Sequence, residues 1–145
     1  PDDQPFDIQG AKIAIIGMGG ISTGTYDRLR EIHGDAVVGV DIDPRTVRNQ
    51  RATGRDVLVG DPSDADFWDR VQATHSIELV MLALPNMNTD LAVLAQLKSA
   101  GFSGKVAATV KFQDEAEVLM AAGATTVFNI YTEAGAGFAD HILER

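Results

Sequence analysis

KIAIIGMGGISTGTY, residues 12–26, decides how the rest of this chain is read. An apolar run from Ile13 to Ile16 stops abruptly at Gly17-Met18-Gly19-Gly20 and gives way to a segment with helical spacing. That is the pattern of a buried strand, a tight glycine turn and the start of a helix. Glycine lets backbone approach a bound group closely, and the unpaired N–H groups of a helix start attract an anion. A nucleotide phosphate is therefore the first ligand to consider. The spacing Gly17, Gly19, Ser22 follows the dinucleotide fingerprint G-x-G-x-x-G/A, except that a small hydroxyl residue replaces the third glycine. Gly17 supplies the turn, Gly19 the close approach, and Ser22 is small enough to let the helix pack on the strand. A plain structural turn would also account for the glycines. The placement between strand and helix favours the ligand, as does Asp41, which lies 24 positions beyond Gly17 against an expected distance of about 20.

Outward from this stretch, strand and helix alternate. Ile21, Thr25, Arg28 or Leu29, and Ile32 recur at helical spacing as far as Gly34. Ala36 to Val40 reads as a second strand ending on Asp41-Ile42-Asp43, and Asp43 caps a helix opened by Pro44. A third strand, Asp56 to Val59, stops at Gly60-Asp61-Pro62; Ser63 is the expected N-cap of the helix that buries Phe67, Trp68 and Val71. Leu79 to Leu84 is apolar on both faces, as a central parallel strand should be, and breaks at Pro85-Asn86. A helix from about Thr89 to Ala100, a strand from Lys105 to Val110, a helix from about Asp114 to Ala122 and a strand from Thr125 to Ile130 complete the series. With right-handed crossovers, this predicts a Rossmann-type α/β fold: one domain with a doubly wound, parallel, six-stranded sheet of order 3-2-1-4-5-6. The expected division is a linker over residues 1–10, the nucleotide-binding domain over 11–130 and a C-terminal helix over 131–145.

Composition narrows the partners. The chain has 145 residues, enough for a self-sufficient core, and 12 basic against 21 acidic side chains give a formal charge of −9. That charge repels a polyanion, so nucleic acid is a poor partner, whereas a glycine turn binds a small phosphate through local dipoles. There is no cysteine, which removes disulfides and thiolate chemistry and fits a cytoplasmic setting. The longest apolar run, Leu79 to Pro85, is far short of the about 20 residues of a spanning helix. Pro1-Asp2-Asp3-Gln4-Pro5 has no signal-peptide character and reads as a frayed linker. His33, His75 and His141 are scattered without metal-ligand spacing, and no nucleophile elbow or general acid–base pair is present.

In such sheets ligands sit beyond the carboxyl ends of the strands, where the order reverses between strands one and four. The residues gathered there are Gly17 to Ser22, Asp41 to Asp43, Gly60 to Pro62 and Ala83 to Asn86. Asp41 would accept hydrogen bonds from ribose hydroxyls and repel a 2′-phosphate, favouring NAD or an adenosine mononucleotide over NADP. Gly60, Asp61 and Pro62 border the adenine position or form a simple turn. Ala83, Leu84 and Pro85 make an apolar wall, or Pro85 merely ends the strand. Lys111, after strand five, neutralises a phosphate or is an ordinary solvated lysine. The alternative for Asp41 and Asp43 is turn and cap duty alone.

GMGGISTGTYDRLRE, GVDIDP, GRDVLVGDPSDADFW, ELVMLALPN and AGATTVFNIYTEAGAGFADHI carry a family resemblance in order and spacing. Over roughly Ala11 to Ile142 the chain resembles the cytoplasmic nucleotide-binding domain that regulates potassium conductance, called RCK, KTN or TrkA-N, above all the version attached to Kef-type potassium/proton antiporters. The resemblance implies a non-catalytic module that binds AMP, ATP or NAD(H), forms a homodimer, and passes ligand state to a membrane transport domain in the same full-length chain, at the cytoplasmic face of the membrane. By motif match Gly17, Met18, Gly19, Gly20, Ile21 and Ser22 would meet phosphate and ribose, Asp41 the ribose hydroxyls, Ile42 and Asp43 the adenosine edge, and Asp61 with Pro62 the adenine. Similar sequences carry Arg at the position of Gly20 and Gly at that of Ser22. Loss of that cation leaves AMP as fitting a ligand as NAD. In relatives the region from Tyr131 onward is a helix that contacts a partner subunit, and Phe138, Ile142 and Leu143 form one apolar stripe on it. The alternative reading is a fragment of an NAD-dependent oxidoreductase.

Overall fold

A computed structural model of the chain describes residues 10–144; most of the expected linker, residues 1–9, lies outside them. Among the described residues, strands β1 (Ile13–Ile16), β2 (Val37–Asp41), β3 (Val57–Val59), β4 (Leu79–Leu82), β5 (Lys105–Val110) and β6 (Thr126–Asn129) alternate with helices α1 (Ser22–His33), α2 (Pro44–Ala52), α3 (Ala65–Ala73), α4 (Met87–Ser99), α5 (Gln113–Ala121) and α6 (Ile130–Leu143). The sheet order is β3-β2-β1-β4-β5-β6, and all pairs are parallel. This is the predicted Rossmann-type, doubly wound α/β sheet. β1 lies at its centre, Ile13 opposite both Val37 and Leu79.

Alternation along β1 separates two cores, because successive strand side chains point to opposite faces. Ile13 and Ile15 join Tyr26 of α1 and Val47 of α2 on one face. Ala14 and Ile16 join Phe67 and Trp68 of α3, Leu94 and Leu97 of α4, and Leu119 of α5 on the other. Trp68 is fully buried, and its indole N–H donates to the Pro62 carbonyl at 2.6 Å. The tool that holds α3 under the sheet is thus also the one that fixes the turn after β3.

Several local expectations give way to stronger interactions. In α1 the inward residues are Ser22 and Tyr26, with Leu29 half-buried, whereas Ile21 and Ile32 are 46% and 58% exposed. Tyr26 wins the interior because it fills the space under the sheet while its hydroxyl accepts from the Asp56 N–H at 2.7 Å and from Arg30 at 2.9 Å. Ser63 does not cap α3. Its N–H and hydroxyl both donate to Asp61 Oδ1, and Asp64 takes the cap position, accepting from the Asp66 N–H at 3.1 Å. β4 ends at Leu82 and α4 begins at Met87, earlier than the apolar pattern implies, because the Asn86 side chain accepts from the Thr89 N–H at 2.8 Å and starts the helix there. Asp43 caps α2 as expected, accepting from the Arg45 N–H at 2.9 Å. A 3₁₀ turn, Gly34–Ala36, joins α1 to β2.

α6 is the outlier. It follows β6 without a break, and residues 131–144 are all exposed, including Phe138 at 69% and Leu143 at 82%. The apolar stripe expected there is present but does not pack on its own domain.

Candidate functional site

The geometry of the site begins with two close approaches. Gly17 has φ +92°, and a Cβ added to it would lie 2.7 Å from the Ala83 carbonyl oxygen, so only glycine lets the turn pass the end of β4. The Met18 side chain then dives into the core across β2. A Cβ on Gly39 would lie 2.6 Å from its sulfur, so Gly39 is the notch that Met18 fills.

With Met18 buried, the next backbone amides are free. The N–H of Gly17 is taken by the Val40 carbonyl, that of Met18 by Asp41 and that of Ser22 by the Gly19 carbonyl. Those of Gly19, Gly20 and Ile21 have no hydrogen-bond partner among the described residues. Among the described residues no side chain caps the N-terminus of α1, and no acidic residue stands in its first turn. Unpaired amides and the positive end of a helix dipole thus converge at one point.

Asp41 ends β2 beside them. The Met18 N–H donates to its Oδ2 at 2.8 Å and the Asp43 N–H to its Oδ1 at 2.9 Å, so two amides hold the carboxylate in place while its other lone pairs remain available. Asp43, by contrast, spends its carboxylate on Arg45, whose backbone and side-chain hydrogen bonds hold it below its ordinary acid range.

A brace supports the turn from behind. Gln50 of α2 donates from Nε2 to the Met18 carbonyl at 2.9 Å and to Thr23 Oγ1 at 3.0 Å, while its Oε1 accepts from Arg55 at 2.9 Å. Arg55 in turn forks onto both oxygens of Asp27 of α1, each at 2.8 Å. The pair lowers the pKa of Asp27, mainly through the Arg55 hydrogen bond. Nothing in the periodicity of the sequence points to Gln50, which reads there as an ordinary polar helix residue.

These features open on one cavity of about 880 Å³ at the carboxyl ends of the strands. Of the residues expected at the site, Gly17, Gly19, Gly20, Ile21, Asp41, Ile42, Asp61, Pro62, Ala83, Leu84, Pro85 and Lys111 line it. Met18, Ser22, Asp43 and Gly60 do not: Met18 and Ser22 are buried, Asp43 caps α2, and Gly60 packs beneath the Phe67 ring. Asn86, expected at the end of strand four, lines it too, and the cavity also takes in residues that sequence reasoning left aside, among them Asp90, Thr109, Phe112 and Glu115 from the β4 and β5 side. Only their position after strands four and five could have marked them. Among the described residues no group of acids and histidines is arranged for a metal, and no helix is long and apolar enough to cross a membrane.

A TrkA-N domain matches residues 13–130, from the first residue of β1 to the first of α6. The chain belongs to the TrkA-N family. No curated protein matches the sequence. This TrkA-N domain is similar in structure to the NAD(P)-binding domain of an exopolyphosphatase-related protein from Archaeoglobus fulgidus, with a TM-score of 0.83 and 21% identity over 93% of this chain and 99% of that one. It is also similar to the Kef C-terminal domain of Shewanella denitrificans in its AMP-bound form, with a TM-score of 0.72 and 16% identity over 92% and 79% of the two chains. A GsuK channel bound to NAD gives a TM-score of 0.67 and 24% identity over 88% of this TrkA-N domain, which spans 22% of that chain. At these identities the likeness is one of fold.

Proposed function

We propose that this TrkA-N domain is a non-catalytic sensor that binds an adenine nucleotide, AMP, ATP or NAD(H), and regulates potassium flux through a membrane transport domain. The observation that carries the reading is the set of three unpaired amides, Gly19 to Ile21, at the uncapped start of α1, with the Asp41 carboxylate held beside them. The amides take the phosphate, Asp41 the ribose hydroxyls, and the turn Asp61-Pro62 borders the base. Support for a nucleotide also comes from the AMP-bound Kef domain and the NAD-bound GsuK channel, which share this fold. The likeness to the Kef C-terminal domain and the GsuK channel supports a place on the cytoplasmic side of a potassium/proton antiporter or related system.

Regulation needs a second state whose nucleotide affinity differs, since a ligand shifts an equilibrium only by its differential affinity. The exposed α6, with Phe112, Phe128 and Tyr131 also exposed near its root, is the surface on which a homodimer would form. Calorimetry and thermal unfolding with millimolar AMP, ATP and NAD test the reading. At about 100 times the dissociation constant a ligand adds roughly 2.7 kcal/mol to stability. Gly19→Asp, which sets a carboxylate where the phosphate belongs, abolishes that gain. Absence of any nucleotide effect on the unaltered chain refutes it.

A further inference from the structure

Asp90 is an acid that the nucleotide anchor does not use. It stands in the first turn of α4 with 3% of its surface exposed. Its Oδ1 is sealed from solvent without a partner, and no group among the described residues hydrogen-bonds to the carboxyl. Buried polar atoms are ordinarily paired, so an orphan of this kind calls for an explanation. Its side chain borders the cavity, in the half built from the ends of β4 and β5 and the first turns of α4 and α5.

That half has no occupant under a mononucleotide reading. With its sugar on Asp41 and its phosphate on Gly19 to Ile21, a mononucleotide covers the β2–β3 side and ends where the strand order reverses. The cavity, about 880 Å³, continues past that point and lies toward the upper end of the about 300–1,000 Å³ seen for small-molecule sites. Beyond the reversal the described residues that border it include two acids, Asp90 and Glu115, one cation, Lys111, and an exposed ring, Phe112.

We propose that Asp90 is the residue by which this cavity recognises the second nucleoside of a dinucleotide, its unpaired carboxylate accepting a hydrogen bond from a ribose hydroxyl or ring carboxamide that no mononucleotide presents there. The inference rests on the anchor assigned above. An excess of acid over base in this half also suits the positive ring of oxidised nicotinamide.

The proton state of Asp90 supplies an independent readout. Burial, and after it the nearby charge of Glu115 on α5, push its carboxyl up to about 7. Among the described residues the other charged groups around the cavity are Lys111 after β5 and, on the opposite wall, Asp41 and Asp61. A donor that pairs with the carboxylate favours its charged form, so binding lowers the pKa and releases a proton when the free site is still protonated, at about pH 6.

The test is calorimetric titration of NAD and of AMP at about pH 6, in two buffers of different ionisation enthalpy, on the unaltered chain, Asp90→Asn and Asp90→Leu. The expected result is release of up to one proton with NAD and none with AMP, loss of that release in Asp90→Asn, and about a tenfold loss of NAD affinity in Asp90→Leu with AMP affinity unchanged. Parallel losses for NAD and AMP, or NAD binding without proton release in the unaltered chain, overturn the inference while leaving the anchor intact. Failure of the unaltered chain to bind either nucleotide overturns the anchor and the inference together.

Discussion

Asp90 also makes a prediction about the unliganded protein, through stability. Its carboxyl rises from an ordinary 3.8 to about 7 on folding, mainly because burial disfavours the charge. The folded state therefore holds a proton that the unfolded chain has already lost, and stability falls as pH climbs from about 4 through about 7. Below that window the acid is neutral in both states; above it the charge is carried in both and the full cost is present. At about 1.36 kcal/mol for each step of one in pKa, the cost reaches about 4 kcal/mol. Asp90→Asn keeps the shape and removes the titration. Urea unfolding of both proteins at intervals from about pH 4 to about pH 8 isolates the effect, since other titrating groups cancel in the difference. Asp90→Asn gains on the unaltered chain steadily across that window, by several kcal/mol at its upper end. A difference that is constant with pH refutes the claim that Asp90 is an unpaired, desolvated acid.

Three further outcomes follow from the geometry. Gln50→Leu removes the brace on the Met18 carbonyl, at a cost of about 1–3 kcal/mol in stability; AMP affinity drops while adenosine affinity holds, as titration of both ligands will detect. Gly39→Ala places a methyl where the Met18 side chain lies, and overpacking of about 1–3 kcal/mol shows as a lower urea midpoint, which Met18→Ala in the same chain partly restores. Replacing Phe138 and Leu143 together by Glu leaves unfolding of the domain unchanged, because neither packs on it, but abolishes self-association in sedimentation analysis.

What the sequence disclosed was governed by short-range rules. Ile13 to Ile16 followed by Gly17 announces a buried strand and its turn, Asp43-Pro44 a capped helix, and the regular alternation a parallel sheet of the observed order. What it withheld depended on groups brought from far along the chain. Ile21 and Ile32 look like the buried stripe of α1, but Tyr26 takes that place because the amide of Asp56, thirty residues on, satisfies its hydroxyl. Met18 looks like a ligand contact, and Gly39 on the neighbouring strand draws it inward. Asp90 resembles any acid in a first helical turn. Its burial arises only when α4 is laid against the sheet beside α5.

The seam between β6 and α6 has a mechanical consequence. Asn129 is at once the last residue of the strand and the cap of the helix, accepting from the amides of Tyr131 and Thr132, and the next residue, Ile130, touches the cavity. No slack separates pocket from arm. At about 1.5 Å per residue the 14-residue helix reaches about 21 Å, so a tilt of about 5° at Ile130 swings its far end by about 2 Å. A displacement too small to see in the pocket becomes more than a bond length at the tip, in the apolar side chains that face outward.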